Sequence, residues 1–383
     1  MTDGVTVGLP TQLKKDALLS MERQPPERDV LSPRELCESV YSLLTSGAGW
    51  SLKDFLGERP FRCFSYGRRA LAEALRVSGV GESDTVLLPG LICRDLLSAL
   101  AARGATAKFY PVTPGLRLGA HPADLPPAKA IIAVNYFGFP QELSPFREYC
   151  RNTGAVLVED NAHGLFSRDE QGRYLGTRGD LGIFSLRKTV PLLNGAALVV
   201  NVPEKGFVLN PQEPFDVSAE PVQFRMKQTM RQLVPVVGHK PVYRLLCLLR
   251  RWKRFKDRGR EAGLRSQAER TLPVPARPCR MLEGSVRSGN PSQEVMRRRA
   301  LYRLFDRLIR EAGHGAGPAF SELPEHVVPY GYPFYARASA IGGIRASLDR
   351  LGLSSVPWPD LPDAIRAEAP EHYRTLWNVS FLW

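Results

Sequence analysis

The chain is poor in the features that would mark a secreted or membrane-embedded protein. Its six cysteines (Cys37, Cys63, Cys93, Cys150, Cys247 and Cys279) are scattered over 383 residues and none forms a C-x-x-C pair. A disulfide framework or a structural zinc site is therefore not expected, and reduced thiols are. No run approaches the ~18 uncharged apolar residues of a membrane span. The first 28 residues carry charges and prolines instead of the apolar centre of a signal peptide. There is no internal repeat. These absences together lead us to expect a cytoplasmic protein. Acidic residues are also in short supply: 52 Lys and Arg against 39 Asp and Glu leave a net charge of +13, which favours an anionic partner. No nucleic-acid reader motif accompanies that charge, so no nucleic-acid partner is expected. With 43% hydrophobic and 24% charged residues, the chain is long enough for one large core and a second, smaller one.

Short apolar runs alternate with helical spacing from residue 65 onward. Val86–Leu88, Lys108–Tyr110, Ala130–Val134, Ala155–Val158, Gly182–Ser185 and Ala196–Val200 read as strands. Gly67–Val77, Asp95–Ala102 and Glu142–Asn152 read as helices between them. Such alternation implies an α/β fold with a mostly parallel sheet and helices on both faces. Residues 1–60 read as an arm with a weak helix over Ser32–Leu44, 61–222 as a large domain, 223–293 as a basic helical segment and linker, and 294–383 as a smaller C-terminal α/β domain. In that last part Gln293–Ala312 and Ala338–Leu351 read as helices and Tyr373–Trp383 as strand-like.

The chemistry concentrates in four places. Ser65-Tyr66-Gly67-Arg68-Arg69 is a glycine turn opening a helix, where free backbone N–H groups suit a phosphate. Asp160 ends an interior strand, on the edge of an open sheet where ligands bind. A carboxylate there can keep a pyridine nitrogen protonated. His163 can donate to a ring oxygen or stack near one. Ser185 and Lys188 leave the next strand, the hydroxyl able to reach a phosphate and the amine an aldehyde. Taken singly, each has a plain alternative: a helix cap, a strand-end acid, a satisfied histidine, a surface lysine. Together they are the groups that a pyridoxal phosphate site needs.

In these motifs residues 61–201 resemble the large domain of the DegT family of pyridoxal-phosphate-dependent nucleotide-sugar aminotransferases. The resemblance runs through Gly67–Leu71, Val86–Pro89, Val134-Asn135-Tyr136-Phe137-Gly138, Glu159-Asp160-Asn161-Ala162-His163, Gly176-Thr177-Arg178-Gly179-Asp180, Phe184-Ser185 and Lys188. It is weaker over 290–383, where Arg298, Arg299 and Tyr302 resemble the family's entry into its small domain. It implies a homodimer of the aspartate-aminotransferase fold with pyridoxal 5'-phosphate held by Lys188 as an internal aldimine. Asp160 would lie under the ring nitrogen and His163 near the ring oxygen, with Ser185 and the Gly67, Arg68 and Arg69 amides at the phosphate. The implied reaction is a ping-pong transfer of an amino group, with glutamate the family's usual donor, to a keto sugar, nucleotide-linked and anionic. By family association the product would enter a polysaccharide or glycosylated-metabolite pathway.

The chain also departs from the pattern. Pro89-Gly90-Leu91-Ile92-Cys93 offers no aromatic to stack on a cofactor ring, leaving Cys93 in that place. The family's Asn- and Met-containing segment has no counterpart in 203–292. Residues 242–256, Val-Tyr-Arg-Leu-Leu-Cys-Leu-Leu-Arg-Arg-Trp-Lys-Arg-Phe-Lys, form a basic amphipathic stretch. It could touch an anionic membrane surface, rim an anionic substrate, or pack its leucines on the domain. Two other functions stay open: a different pyridoxal-phosphate reaction on a sugar, and a catalytically degenerate fold serving as a binding or membrane-surface protein. Dehydratases of this kind replace the lysine with histidine, and Lys188 argues against that branch.

Overall fold

The computed structural model describes residues 50–190, 192–218, 221–222, 224–226, 267–282, 291–311, 315–350 and 355–381. The expected helix over 32–44 and the basic segment 242–256 lie outside them.

Seven strands build the main sheet: β1 (Phe61–Phe64), β2 (Thr85–Pro89), β3 (Thr106–Tyr110), β4 (Ala130–Val134), β5 (Val156–Asn161), β6 (Leu181–Phe184) and β7 (Ala196–Val200). Their order is β1-β7-β6-β5-β4-β2-β3. Pairings from β3 through β6 are parallel, and β7 runs antiparallel to both β6 and β1. After β2 the chain moves outward to β3, then returns to the other side of β2 for β4, β5 and β6. The order therefore reverses between β2 and β4, and the crevice at the carboxyl ends beside such a reversal is where an open α/β sheet binds ligands.

Both faces of the sheet are buried. On β7, Ala196, Leu198 and Val200 join one apolar cluster with Leu71 and Leu75 of the helix Gly67–Val77. Ala197 and Val199 join a second with Trp50, Leu56 and Leu186. Alternate residues pointing to opposite covered faces make these strands apolar throughout instead of alternating. We number the helices α1 (Lys53–Leu56), α2 (Gly67–Val77), α3 (Leu97–Ala101), α4 (Ser144–Thr153), α5 (Pro291–Glu311), α6 (Ala338–Arg350), α7 (Asp363–Arg366) and α8 (Glu371–Thr375). A smaller antiparallel sheet, in the order β10 (Ser355–Pro357), β11 (Leu376–Ser380), β9 (Gly331–Ala336), β8 (Ala316–Pro318), packs with α5. Tyr302 and Phe305 of α5 and Phe334 of β9 share one continuous cluster with Phe137 and Phe139 of the main domain.

The elements depart from expectation where charge interrupts a strand. The segment expected to end at Val158 continues to Asn161, taking Glu159 and Asp160 into the sheet. Glu159 is tolerated there because Arg178 reaches it at 2.6 and 2.8 Å and the amides of Arg178 and Gly179 also donate to it. β1 was not anticipated; its Arg62 is buried and paired with Glu73 of α2 at 3.2 Å. The strand expected from Tyr373 begins at Leu376, because Pro370 starts a turn of helix first. No helix among the described residues is long and apolar enough to cross a membrane, and the four described cysteines form no disulfide with one another.

Candidate active site

The carboxyl ends of β2, β4, β5 and β6 and the start of α2 meet in one crevice. Asp160 is the penultimate residue of β5, in register with Val134 of β4 and Ile183 of β6. It is 4% exposed. One carboxylate oxygen accepts the Ala162 amide at 2.9 Å, and the other takes no hydrogen bond from the described residues. Burial pushes this carboxyl up, and Lys188, the charge facing it, pulls it back down. Lys188 closes the single turn Leu186–Lys188 that follows β6. Burial pushes its amine below the usual lysine range, while Asp160 and then Cys93 act in the opposite sense. Some of its surface stays open to the crevice.

Ser185 stands between β6 and that turn, 5% exposed, and its hydroxyl has no partner among the described residues. It faces α2: a Cβ built on Gly67 would lie 3.8 Å from the Ser185 Cβ. At the start of α2 the Arg69 and Ala70 amides return to the Tyr66 carbonyl at 2.9 and 3.2 Å. Among the described residues the Gly67 and Arg68 amides find no acceptor, as at any helix start. So of the three residues expected at a phosphate, two present free amides. The Arg69 side chain turns away to the Pro273 carbonyl at 2.9 Å, and Arg68 lies 3.5 Å from Asp95. Cys93, after β2, is close enough to Lys188 for their charges to interact; burial pushes its thiol up.

His163 lies in the loop after β5. Its Nδ1 accepts the Phe137 amide at 3.3 Å, and its Nε2 lies 3.1 Å from Lys188 Nζ. Its ring stacks on Tyr330 with centroids 4.3 Å apart and planes 7° from parallel. Burial drives its basicity well down, helped by Lys188 and Arg298.

The scaffold behind His163 includes residues to which the sequence reading gave no role at the site. Asn135–Gly138 turns sharply after β4, with Phe137 at φ +54° and Gly138 at φ +90°. A side chain at 138 would bring its Cβ within 2.6 Å of the Val328 carbonyl, so only glycine fits. The left-handed Phe137, unusual for a residue with a bulky side chain, aims its N–H at His163 and offers its carbonyl to the Tyr330 amide at 2.8 Å. Trp358 closes the cluster, its ring 4.5 Å from Phe137 and 5.7 Å from His163. Arg298 of α5, noted in the sequence with Arg299 and Tyr302 for their resemblance to the family's entry into its small domain, is 1% exposed. It donates to Glu294 at 2.6 Å and to the carbonyls of Lys188, Thr189, Pro329 and Tyr330 at 3.0–3.3 Å. The signal available in the sequence was its spacing of four from Glu294 on a helix.

The donor set suits a phosphorylated pyridine aldehyde. It offers an amine for the aldehyde, a buried carboxylate with a spare oxygen for a ring nitrogen, and an unpartnered buried hydroxyl beside two free amides for a phosphate.

Comparison with known proteins agrees with that reading. Residues 50–205 match the model of the DegT/DnrJ/EryC1/StrS aminotransferase family. A dTDP-4-dehydro-2,3,6-trideoxy-D-glucose 4-aminotransferase of Saccharopolyspora spinosa is 31% identical over 134 residues, 34% of this chain and 34% of that protein. The match thus spans about a third of the length of the curated relative. Over nearly the whole chain the fold is that of solved aminotransferases. One, from Streptoalloteichus hindustanus, superposes with a TM-score of 0.54 at 20% identity, covering 92% of this chain and 91% of that one. The E. coli GDP-4-keto-6-deoxy-D-mannose-3-dehydratase with bound hydrated PLP superposes at 0.53 with 12% identity, covering 94% and 95%.

Proposed function

We propose that this chain, which belongs through residues 50–205 to the DegT/DnrJ/EryC1/StrS aminotransferase family, moves an amino group from an amino acid, glutamate, to a keto group on a nucleotide-linked sugar. The observation that carries the reading is the convergence of Lys188, Asp160, Ser185 and the Gly67 helix start at the carboxyl edge of one sheet. Pyridoxal phosphate, when bound, supplies the electron sink and the carrier for the amino group.

The chain's own residues supply the rest. Asp160 would pair with a protonated ring nitrogen, whose positive charge would offset the cost of burying the carboxylate. The Ser185 hydroxyl and the amides of Gly67 and Arg68 bind the phosphate, adding the favourable end of the α2 dipole. Lys188 would hold the cofactor through its amine, and the same amine would serve as the base and acid for the proton transfer. A lysine made less basic by burial does both at neutral pH, because more of it is uncharged. The glutamate and nucleotide-sugar assignments rest on the family and on the substrate in the name of the S. spinosa relative. A homodimer is part of the same proposal.

The test is a coupled one. The purified chain, pyridoxal phosphate, glutamate and a dTDP-4-keto-deoxysugar are incubated, and 2-oxoglutarate and the amino sugar are measured. The proposal expects equimolar products from the parent and none from Lys188→Ala. A well-folded parent that binds the cofactor yet forms no 2-oxoglutarate with any keto sugar would sink the transfer reading.

A further inference from the structure

The hydrogen bonds of His163 fix where its proton sits, and that in turn fixes the state of Lys188. Nδ1 accepts the Phe137 backbone N–H at 3.3 Å. A backbone amide can only donate, so Nδ1 carries no proton and the neutral ring must carry it on Nε2. Nε2 lies 3.1 Å from Lys188 Nζ. With Nε2–H as donor, Nζ must accept, and only an uncharged amine has a lone pair to do so. The opposite arrangement, an ammonium donating to a bare Nε2, would place the ring proton on Nδ1 against the Phe137 N–H, two donors facing each other. We propose that His163 is a positioning residue which donates from Nε2 to the lone pair of Lys188 and holds it, in the cofactor-free protein, as an uncharged amine.

The surrounding structure supports that state. Phe137 keeps a left-handed conformation, and its peptide group grips both the His163 ring and the Tyr330 amide. Tyr330 then stacks on the imidazole and fixes its plane. The charged and titratable groups around Lys188 are Asp160 from β5, Cys93 and Asp95 from the segment after β2, and Arg187 beside it. Arg298 from α5 faces His163. Asp160, Cys93 and Asp95 favour the ammonium; burial, the largest influence, opposes it together with Arg187 and the His163 donor. Both His163 and Lys188 are shifted towards their uncharged forms, as a neutral pair requires.

An amine held this way is already uncharged, and once Nζ turns out of the hydrogen bond from His163 its lone pair is free for an aldehyde entering the crevice. The Nζ lone pair forms the new bond to the carbonyl carbon, C=N replaces C=O, and the oxygen leaves as water with the two amine protons. No proton has first to be lost to solvent. The inference deepens the proposed function by taking Lys188 as the attachment point, but it concerns the chain without cofactor, so it can fail or hold independently of that reading.

Two measurements on the full-length, cofactor-free protein test it. Nitrogen-15 NMR of labelled histidine should show His163 with a protonated Nε2 and a bare Nδ1 at neutral pH; a proton on Nδ1, or on both nitrogens, overturns the proposal. The second is the pH dependence of Lys188 modification by a small amine-reactive reagent, read by peptide mapping. If His163 donates to the neutral amine, His163→Phe raises the Lys188 midpoint by about one unit, so that about tenfold less free amine is present at a pH below both midpoints. His163→Gln, whose amide can still donate, brings the midpoint back down. If Lys188 were instead the donor, removing its acceptor would lower the midpoint. A midpoint that falls or stays put in His163→Phe therefore refutes the assignment, and a purely structural role for His163 would not give a shift of this sign.

Discussion

Replacing Arg298 with methionine tests whether α5 holds the catalytic loop in place. The side chain is 1% exposed and gives every donor away: Nε to Glu294, one terminal nitrogen to the Pro329 and Tyr330 carbonyls, the other to those of Lys188 and Thr189. Methionine has similar length and no donor, so four carbonyls lose a charged partner in the interior. Hydrogen bonds to charged groups are worth roughly 1.5–3 kcal/mol each and do not add. Breaking a buried ion pair by removing one member costs about 3–5 kcal/mol. Glu294 keeps Arg297 at 2.7 Å, so its carboxylate is not abandoned, which places the expected loss near the lower end, about 3 kcal/mol. Against a total stability of about 5–15 kcal/mol the protein still folds, but the turn carrying Lys188 and the strand entry carrying Tyr330 come loose from each other. Urea denaturation of the cofactor-free protein should show the loss, and pyridoxal phosphate affinity should fall with it. Arg298→Lys should recover only part, since one ammonium cannot span both pairs of carbonyls. A loss below about 1 kcal/mol, the range of an exposed ion pair, would refute the reasoning.

Three further outcomes follow from the same geometry. Gly67→Ala should leave stability within about 1 kcal/mol in urea denaturation, because its Cβ meets Ser185 only at ordinary contact distance and alanine suits a helix; a loss of several kcal/mol would contradict this. Arg178→Met should cost about 3–5 kcal/mol by stranding Glu159, which is fully buried beside Asp160; a near-neutral result in thermal unfolding would contradict this. Glu294 is held below its free value of 4.5 by hydrogen bonds and charges from Arg297 and Arg298 that outweigh burial. Its contribution is therefore complete above pH 4.5 and lost as pH falls through the lower folded value. The acid limb of stability should weaken in Glu294→Gln relative to the parent.

The order of apolar strands and amphipathic helices from 67 to 200 was legible because each is short, continuous and separated by turn residues. The four groups Asp160, His163, Ser185 and Lys188 were legible because each closely follows or ends such a strand, and a parallel sheet gathers its carboxyl ends on one edge. β1 was hidden by Arg62, whose partner Glu73 lies on another element. The partners of Arg298 were hidden because they are backbone carbonyls of residues 188–189 and 329–330, which no local pattern reveals. Tyr330, Phe137 and Trp358 reach His163 only through the left-handed turn at 137–138, and Phe137 is not a residue that announces such a turn.

The central claim is that Lys188 is the covalent anchor for pyridoxal phosphate. Incubating the purified chain with the cofactor, reducing with borohydride, digesting and mapping by mass spectrometry tests it directly. The account predicts a phosphopyridoxyl adduct on the peptide containing Lys188, at close to one per chain, abolished in Lys188→Ala. Stoichiometric modification of another lysine, or none on Lys188 in a folded protein, would contradict it.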